Sequence, residues 1–377
     1  MGGYSSYLCR EAGVNRLNFI QNSNRICVLP ELHGVGGMVT FQNKFSKGLS
    51  ARKVEITYNL EDRPYQSILV VGGTKNIHGL IRSRRKGIPI VQRLDGLNWL
   101  HRAQARKNIR DFHPKFFMRA EYGNRILYII REHIANSIIY QSEFVRDWWL
   151  KNRGPTKAAD VVIHNGVDLE QYKPIETIKR PDNITRILLV EGSLMGGYEA
   201  GLGVAVNLIE MLLETKKTEL TDKIELVVVG KLSENVRKHW TVKLNERNYR
   251  DRVCVNWMGV LPLERIPEIN NNAHFLYSSD INAACPNSVI EAMACGNPVL
   301  SFDTGALPEL VTSDSGKIVP YGADSWRLEA PDIKALTFGA VELLENQQEY
   351  RSGARERAVN FFGLDMMLDA YLDILLG

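Results

Sequence analysis

PNSVIEAMACGNPVLSFDTGALPELV, residues 286–311, carries the reading of the fold. Pro286 suits the first turn of a helix, where its missing N–H would be unpaired anyway. The helix runs over 287–295 and stops at Gly296. Pro298 then opens the apolar strand PVLSF (298–302). A helix handed directly to a short, near-continuously apolar strand is the repeating step of a parallel sheet covered by helices on both faces.

The same step recurs on either side. RILLVEG (186–192), IELVVVG (224–230), RVCVNWMG (252–259), AHFLYSS (273–279) and GKIVP (316–320) read as strands. Helical spacing fills 203–216, 232–246, 263–270 and 331–346. Toward the N-terminus, RICVLP (25–30), KVEITY (53–58), SILVVGG (67–73), IPIVQR (88–93), NSIIYQS (136–142) and DVVIHN (160–165) are strands. They are separated by helical segments at 37–49, 75–86, 116–135 and 142–151. Between the halves, residues 166–185 are polar, carry two prolines and lack a period, which marks a linker. The expected architecture is α/β, with two Rossmann-like doubly wound domains. They are an N-terminal acceptor-side domain (1–165) and a C-terminal donor domain (186–346), joined by the linker. The tail, 347–377, is expected to be helical and to pack back toward the N-terminal domain. Met366, Leu368, Tyr371, Leu372, Ile374 and Leu375 would form its apolar face.

Bulk properties bound the function. The chain of 377 residues is 44% hydrophobic and 24% charged, with a net charge of +4, so no polyanion partner follows from the total. No stretch approaches the about 20 apolar residues of a membrane span. Five cysteines without a C-x-x-C pair fit a reducing compartment, and Cys27 and Cys254 read as small hydrophobes in strands. A cytoplasmic protein is expected. The first residues loosely fit a myristoylation pattern, with Gly2 and Ser6, though such matches arise often by chance.

The chemistry concentrates around 286–291. Free N–H groups at the helix start and the helix dipole make an anion site at Pro286, Asn287, Ser288 and Val289. Glu291 lies one turn further in, placed to hold the vicinal hydroxyls of a ribose whose phosphates sit on that turn. VEGSLMGGYEAGLG (190–203) is rich in glycine, and the backbone at Gly196, Gly197 and Gly201 could cradle a diphosphate. Lys231 follows a strand and either supplies a phosphate charge or is a solvated loop lysine. Gly259 closes VNWMG (255–259), which would border the base through its backbone. In the first half, Gly34, Gly36 and Gly37 follow the first strand. The further glycine of a dinucleotide fingerprint is missing, with Val39 in its place, which disfavours NAD. Gly36 and Gly37 suit a cleft loop instead. Arg93 and Asp95 in QRLDGLNW (92–99) lie at the carboxyl end of a strand, where ligands bind in such sheets. They are catalytic candidates, with Asp95 orienting an acceptor hydroxyl or the sugar. The other reading is an Arg93–Asp95 pair that shapes the loop. No D-x-D and no His/Cys cluster occurs, so no metal and no cofactor is expected.

The basic stretch 101–119 and RSRRKG (82–87) read either as a solvated face or as a patch for anionic lipid or a phosphorylated acceptor. No nucleic-acid motif accompanies them.

P-N-S-V-I-E-A-M-A-C-G-N-P-V resembles the donor-binding motif of glycosyltransferase family 4, a group of retaining GT-B enzymes. TGALPEL (304–310) is similar to that family's G-G-x-x-E loop, with Ala306 for the second glycine. VIHNGVDLEQYKP (162–174) resembles its interdomain signature, and GVGGM (34–38) and YQSEFVRDWW (140–149) resemble its first-domain segments. The resemblance implies a GT-B fold whose domains face across a cleft. It implies a nucleotide-sugar substrate, a glycan, lipid or protein acceptor, and hexosyl transfer with retention of configuration, serving polysaccharide or glycoconjugate biosynthesis. Two departures stand out. The family places a Glu eight residues before Glu291, where this chain has Ala283, and an Arg and a Lys in the loop that here reads 190–203. A nucleotide-sugar epimerase and a catalytically silent binding homologue therefore stay open as alternatives.

Overall fold

In a computed structural model, residues 24–34, 36–107, 114–195, 198–215, 223–245 and 251–377 are described. The first half places strands β1 (Arg25–Leu29), β2 (Glu55–Thr57), β3 (Ser67–Val71), β4 (Ile90–Leu94), β5 (Ser137–Tyr140) and β6 (Ala159–Val162) in one parallel sheet of order β2-β1-β3-β4-β5-β6. Its helices are α1 (Gly37–Ala51), α2 (Ile77–Arg85), α3 (Leu100–Lys107), α4 (Pro114–Ile129) and α5 (Glu143–Arg153). The second half pairs β7 (Thr185–Ser193), β8 (Ile224–Lys231), β9 (Val253–Gly259), β10 (Phe275–Tyr277), β11 (Val299–Phe302) and β12 (Gly316–Val319) as β12-β11-β10-β7-β8-β9. Helices α6 (Ala200–Glu214), α7 (Glu234–Asn245), α8 (Ile266–Asn272), α9 (Asn287–Ala294), α10 (Leu307–Leu310) and α11 (Ile333–Glu345) connect them. The chain ends in α12 (Gln347–Phe361) and α13 (Leu364–Leu376).

Each sheet is doubly wound, because strand order reverses at β1/β3 in the first and at β7/β10 in the second. The central strands are buried: β3 and β4 at every position, and β8 at all but its last. That is the burial a parallel strand needs when helices cover both faces.

Local rules explain the hand-offs. Gly296, at φ +65°, ends α9 in the left-handed region, its N–H donating to the Met293 carbonyl at 2.8 Å. Asn76 caps α2 through the Gly79 N–H, and Ser142 caps α5 through the Val145 N–H.

The tail splits. Ala354, Ala358 and Phe362, on and just after α12, join the core of the second domain. The α13 side chains Met367, Leu368, Tyr371 and Leu375 join the first-domain core around Ile26, Val28, Phe41 and Phe45. The linker crosses beside it, where the Val167 N–H donates to the Phe362 carbonyl and the Val167 carbonyl accepts from the Leu364 N–H, bridging Gly363. The buried face of α13 differs by one position from the expected one: Met367 is inside, and Met366 is 52% exposed. Cys254 also departs from the reading as a core residue. It lies on β9, an edge strand, and is exposed.

Candidate active site in the interdomain cleft

A cavity of about 1280 Å³ separates the carboxyl ends of the two sheets. Arg93, Asp95 and the Gly36–Gly37 turn line it from the first domain, and Glu191, Asp280, Ala283 and Glu291 from the second. Both strand-order reversals open toward this space, the place where open α/β sheets bind ligands.

Helix α9 aims its first turn into the cavity. Pro286, Asn287 and Ser288 line the wall, and no side chain caps that end, so its N–H groups stay available to an anion. Pro286 stands just outside the helix at φ −69°, ψ 120°, rather than within the first turn. Val289 is fully buried and anchors the helix in the core. Glu291 is 5% exposed, and its Oε1 accepts a hydrogen bond from Lys44 Nζ at 2.8 Å. Lys44 belongs to α1 of the other domain. Ala283, where the resembled family has its Glu, is buried against the following loop. A Cβ on Gly305, at φ +62°, would fall 2.4 Å from the Ala283 nitrogen, and the Ala306 N–H donates to the Ala283 carbonyl at 2.9 Å.

The glycine-rich segment is rebuilt by the structure. Strand β7 extends to Ser193 and α6 begins at Ala200, so Gly201 and Gly203 are helical rather than part of a loop. Their lack of a side chain serves packing. A Cβ on Gly201 would meet the Ser279 side chain at 2.5 Å, and one on Gly203 the Trp240 ring at 3.3 Å. Gly196 and Gly197 lie outside the described residues, as do Gly2 and Ser6. The register between β7 and β8 shifts between Val190 and Ser193, which puts Glu191 and Gly192 in a bulge. Gly230, at φ +142°, makes that possible, since a Cβ there would stand 2.0 Å from the Glu191 carbonyl oxygen. The bulge brings the Glu191 carboxylate to the cavity wall.

Glu191 and Asp280 form a carboxylate pair that the sequence reading did not foresee. Burial, together with the Asp280 charge, pushes the Glu191 carboxyl up to about 8, against a Ser279 hydroxyl that donates to it at 3.1 Å. Burial raises Asp280 to about 6. The position resembling a basic phosphate site thus carries acids. Lys231 does not compensate. It is exposed at the end of β8 and is not part of the cavity wall, and Gly259 is likewise outside it while Val260 and Leu261 line it.

Arg93 is 1% exposed. Its Nη2 donates to Asn165 Oδ1 at 2.7 Å, and its guanidinium lies 3.9 Å from the Phe41 ring centroid, so Asn165 rather than Asp95 is its hydrogen-bonded partner. Asn165 in turn donates to the Cys285 carbonyl at 2.8 Å, linking the first domain to the loop before α9. Burial raises the Asp95 carboxyl, against the pull of Arg93.

Further cross-domain contacts hold the cleft walls together. Glu309, in the TGALPEL loop, accepts the N–H groups of Glu143 at 2.9 Å and Phe144 at 3.2 Å at the start of α5, and pairs with His164 at 2.6 Å. Trp326 sets its ring against Trp99, Trp148 and Phe144, with centroids 5.1, 4.9 and 6.2 Å away.

The basic stretch divides between α3 and α4. Arg102 forms a two-point ion pair with Glu121, which also meets His101, so this arginine belongs to a local network. Residues 108–113 lie outside the described residues. Lys115, Arg119 and Arg125 are exposed on α4 beside Met118 and Tyr122. No helix among the described residues is long and apolar enough to cross a membrane.

Residues 186–346 match the model of a protein family described as glycosyl transferases group 1. No curated protein matches the chain by sequence. Solved structures share the fold over nearly their whole length. Sucrose-phosphate synthase from Thermosynechococcus elongatus is 15% identical with a TM-score of 0.68, covering 93% of this chain and 98% of its own. Anabaena HepE, solved in complex with UDP and glucose, is 16% identical with a TM-score of 0.65, covering 93% and 99%. A glycosyltransferase from Rickettsia africae is 17% identical with a TM-score of 0.61, covering 93% and 97%. At these identities the likeness establishes the fold, and that fold is GT-B.

Proposed function

We propose that this chain, a GT-B protein whose residues 186–346 match the group 1 glycosyl transferases, moves a sugar from a nucleotide-sugar donor to an acceptor hydroxyl. The observation that carries the reading is the pairing of an uncapped helix start with Glu291 one turn in, at the wall of the cavity between the sheets. The α9 N–H groups would take the donor phosphates and Glu291 the ribose hydroxyls. A uridine nucleotide is the first donor to test, because HepE was solved with UDP.

Transfer with retention and without a metal is part of this proposal. A retaining mechanism in which the leaving phosphate takes the acceptor proton asks the protein for positioning and charge stabilisation rather than for a nucleophile. The cavity supplies helix N–H groups on one wall and Arg93 on the other. NMR of the first-formed anomer and activity in EDTA test the two features. The acceptor, a glycan, lipid or protein, would enter from the first-domain side past Asp95, and the protein would work in the cytoplasm. Contact with an anionic membrane through α4 belongs to the same proposal.

Glu291→Gln tests the site. It replaces a charged acceptor by a neutral one and is expected to weaken UDP by about 1–2 kcal/mol with the fold retained. Unchanged UDP affinity by calorimetry would remove Glu291 from the ribose site.

A further inference from the structure

We infer that Lys44 is a positioning residue for Glu291, so that the ribose site is assembled from both domains; the inference rests on the reading of Glu291 as the ribose carboxylate. Lys44 lies two turns into α1, the helix that starts at the cleft turn Gly36–Gly37. Its Nζ reaches across to Glu291 Oε1 at 2.8 Å and to the linker carbonyl of Gly166 at 3.4 Å. The Tyr172 ring lies beneath it, 5.8 Å from ammonium to centroid. One side chain therefore touches the first domain, the linker and the donor helix.

The pair is nearly dry, with side-chain exposures of 13% for Lys44 and 7% for Glu291. Two charges taken that far out of water are costly, and a matched apolar pair would fill the same space at lower cost. Their presence calls for a use of the charge. Glu291 Oε1 is committed to Lys44, and among the described residues no hydrogen bond reaches Oε2, while Glu291 itself lines the cavity. A carboxylate pinned at one oxygen has a fixed plane and presents the other to a ligand. Gripping two vicinal hydroxyls requires that fixed orientation. Because Lys44 and Glu291 sit on different domains, swinging the domains apart would release the carboxylate, and a bound nucleotide would favour the closed arrangement.

The test compares UDP with 2′-deoxy-UDP by calorimetry on the full chain, with GDP, ADP and CDP and their 2′-deoxy forms in place of UDP should one of these bind more tightly. Wild type is expected to prefer the ribonucleotide, and Glu291→Gln to lose that preference. Lys44→Met is then expected to lower the ribo-to-deoxy affinity ratio about tenfold, and Lys44→Arg to keep most of it. Lys44→Gln serves as a second variant, and a ratio taken within each protein cancels differences in folded fraction. A wild-type ratio in Lys44→Met overturns the inference, as does tighter nucleotide binding, which would make Lys44 a rival of the ribose. An unchanged ratio in Glu291→Gln would instead overturn the underlying reading of Glu291, and the role of Lys44 with it.

Discussion

Glu191 and Asp280 stand at the carboxyl ends of β7 and β10, the neighbouring strands between which the donor-side sheet reverses its order. The crevice of that sheet therefore holds two acids where a donor diphosphate is expected. Burial raises Glu191 to about 8 and Asp280 to about 6, so protons are held there near neutral pH.

The sign of the pH dependence follows. As pH rises from 6 to 9 the coupled Glu191–Asp280 pair gives up its protons, and each new charge repels a diphosphate. UDP affinity should fall over that range. Glu191→Gln should flatten the fall and tighten UDP at pH 9 by roughly three- to tenfold. Stability moves the same way. A carboxyl raised from 4.5 to about 8 on folding contributes stability that is lost as pH climbs between those values. The variant should melt higher than wild type at pH 9 and close to it at pH 5. An identical pH profile for UDP binding in variant and wild type would place the diphosphate away from Glu191.

The exposed side of α4 makes a second prediction. Lys115, Arg119 and Arg125 flank Phe116, Met118 and Tyr122, which are 67, 64 and 55% exposed. Cations beside apolar side chains suit an anionic bilayer surface. Replacing the three cations with Gln should weaken binding to phosphatidylserine vesicles at low salt by about fivefold for each charge removed. UDP affinity should change little, since Lys115 and Arg125 lie outside the cavity and Arg119 lines it only from the first-domain side. Equal vesicle binding by variant and wild type would return α4 to an ordinary solvated face.

The parts of this protein that were legible in its sequence are those written locally. Apolar runs such as SILVV and IELVVV show parallel strands because burial on both faces leaves no room for alternation. Glu291 was legible because it shares a helix with Pro286, Asn287 and Ser288. Lys44 was not, because its partner lies 247 residues away and a single lysine on an amphipathic helix carries no signal of its own. Glu309 sits inside a recognisable loop, yet its grip on the α5 N–H groups depends on how the domains meet. Glu191 was hidden by its glycine neighbours. The chain 190–203 reads as a strand end running into a glycine loop, and only the Gly230 backbone shows that β7 bulges at Glu191 and Gly192 and continues.

That bulge yields the last prediction. Gly192 faces the first-domain turn, and an ideal Cβ on it would lie 3.9 Å from Gly36 Cα. This is an ordinary contact distance, and Gly192 is not among the glycines held at positive φ. Alanine should therefore be accepted there with little effect. Valine adds two further carbons directed at a turn whose own glycine is at φ +143° and cannot easily move aside. Gly192→Val is expected to hold the two turns apart and weaken UDP about tenfold. It should leave uridine little changed, because the proposed donor pose puts the phosphate end nearer the bulge than the base. Calorimetry with UDP and uridine on wild type, Gly192→Ala and Gly192→Val reads both quantities. Equal losses for UDP and uridine would mean that the bulge shapes the whole cleft and not its phosphate end. Full UDP affinity in Gly192→Val would mean that the two turns need not approach each other for the donor to bind.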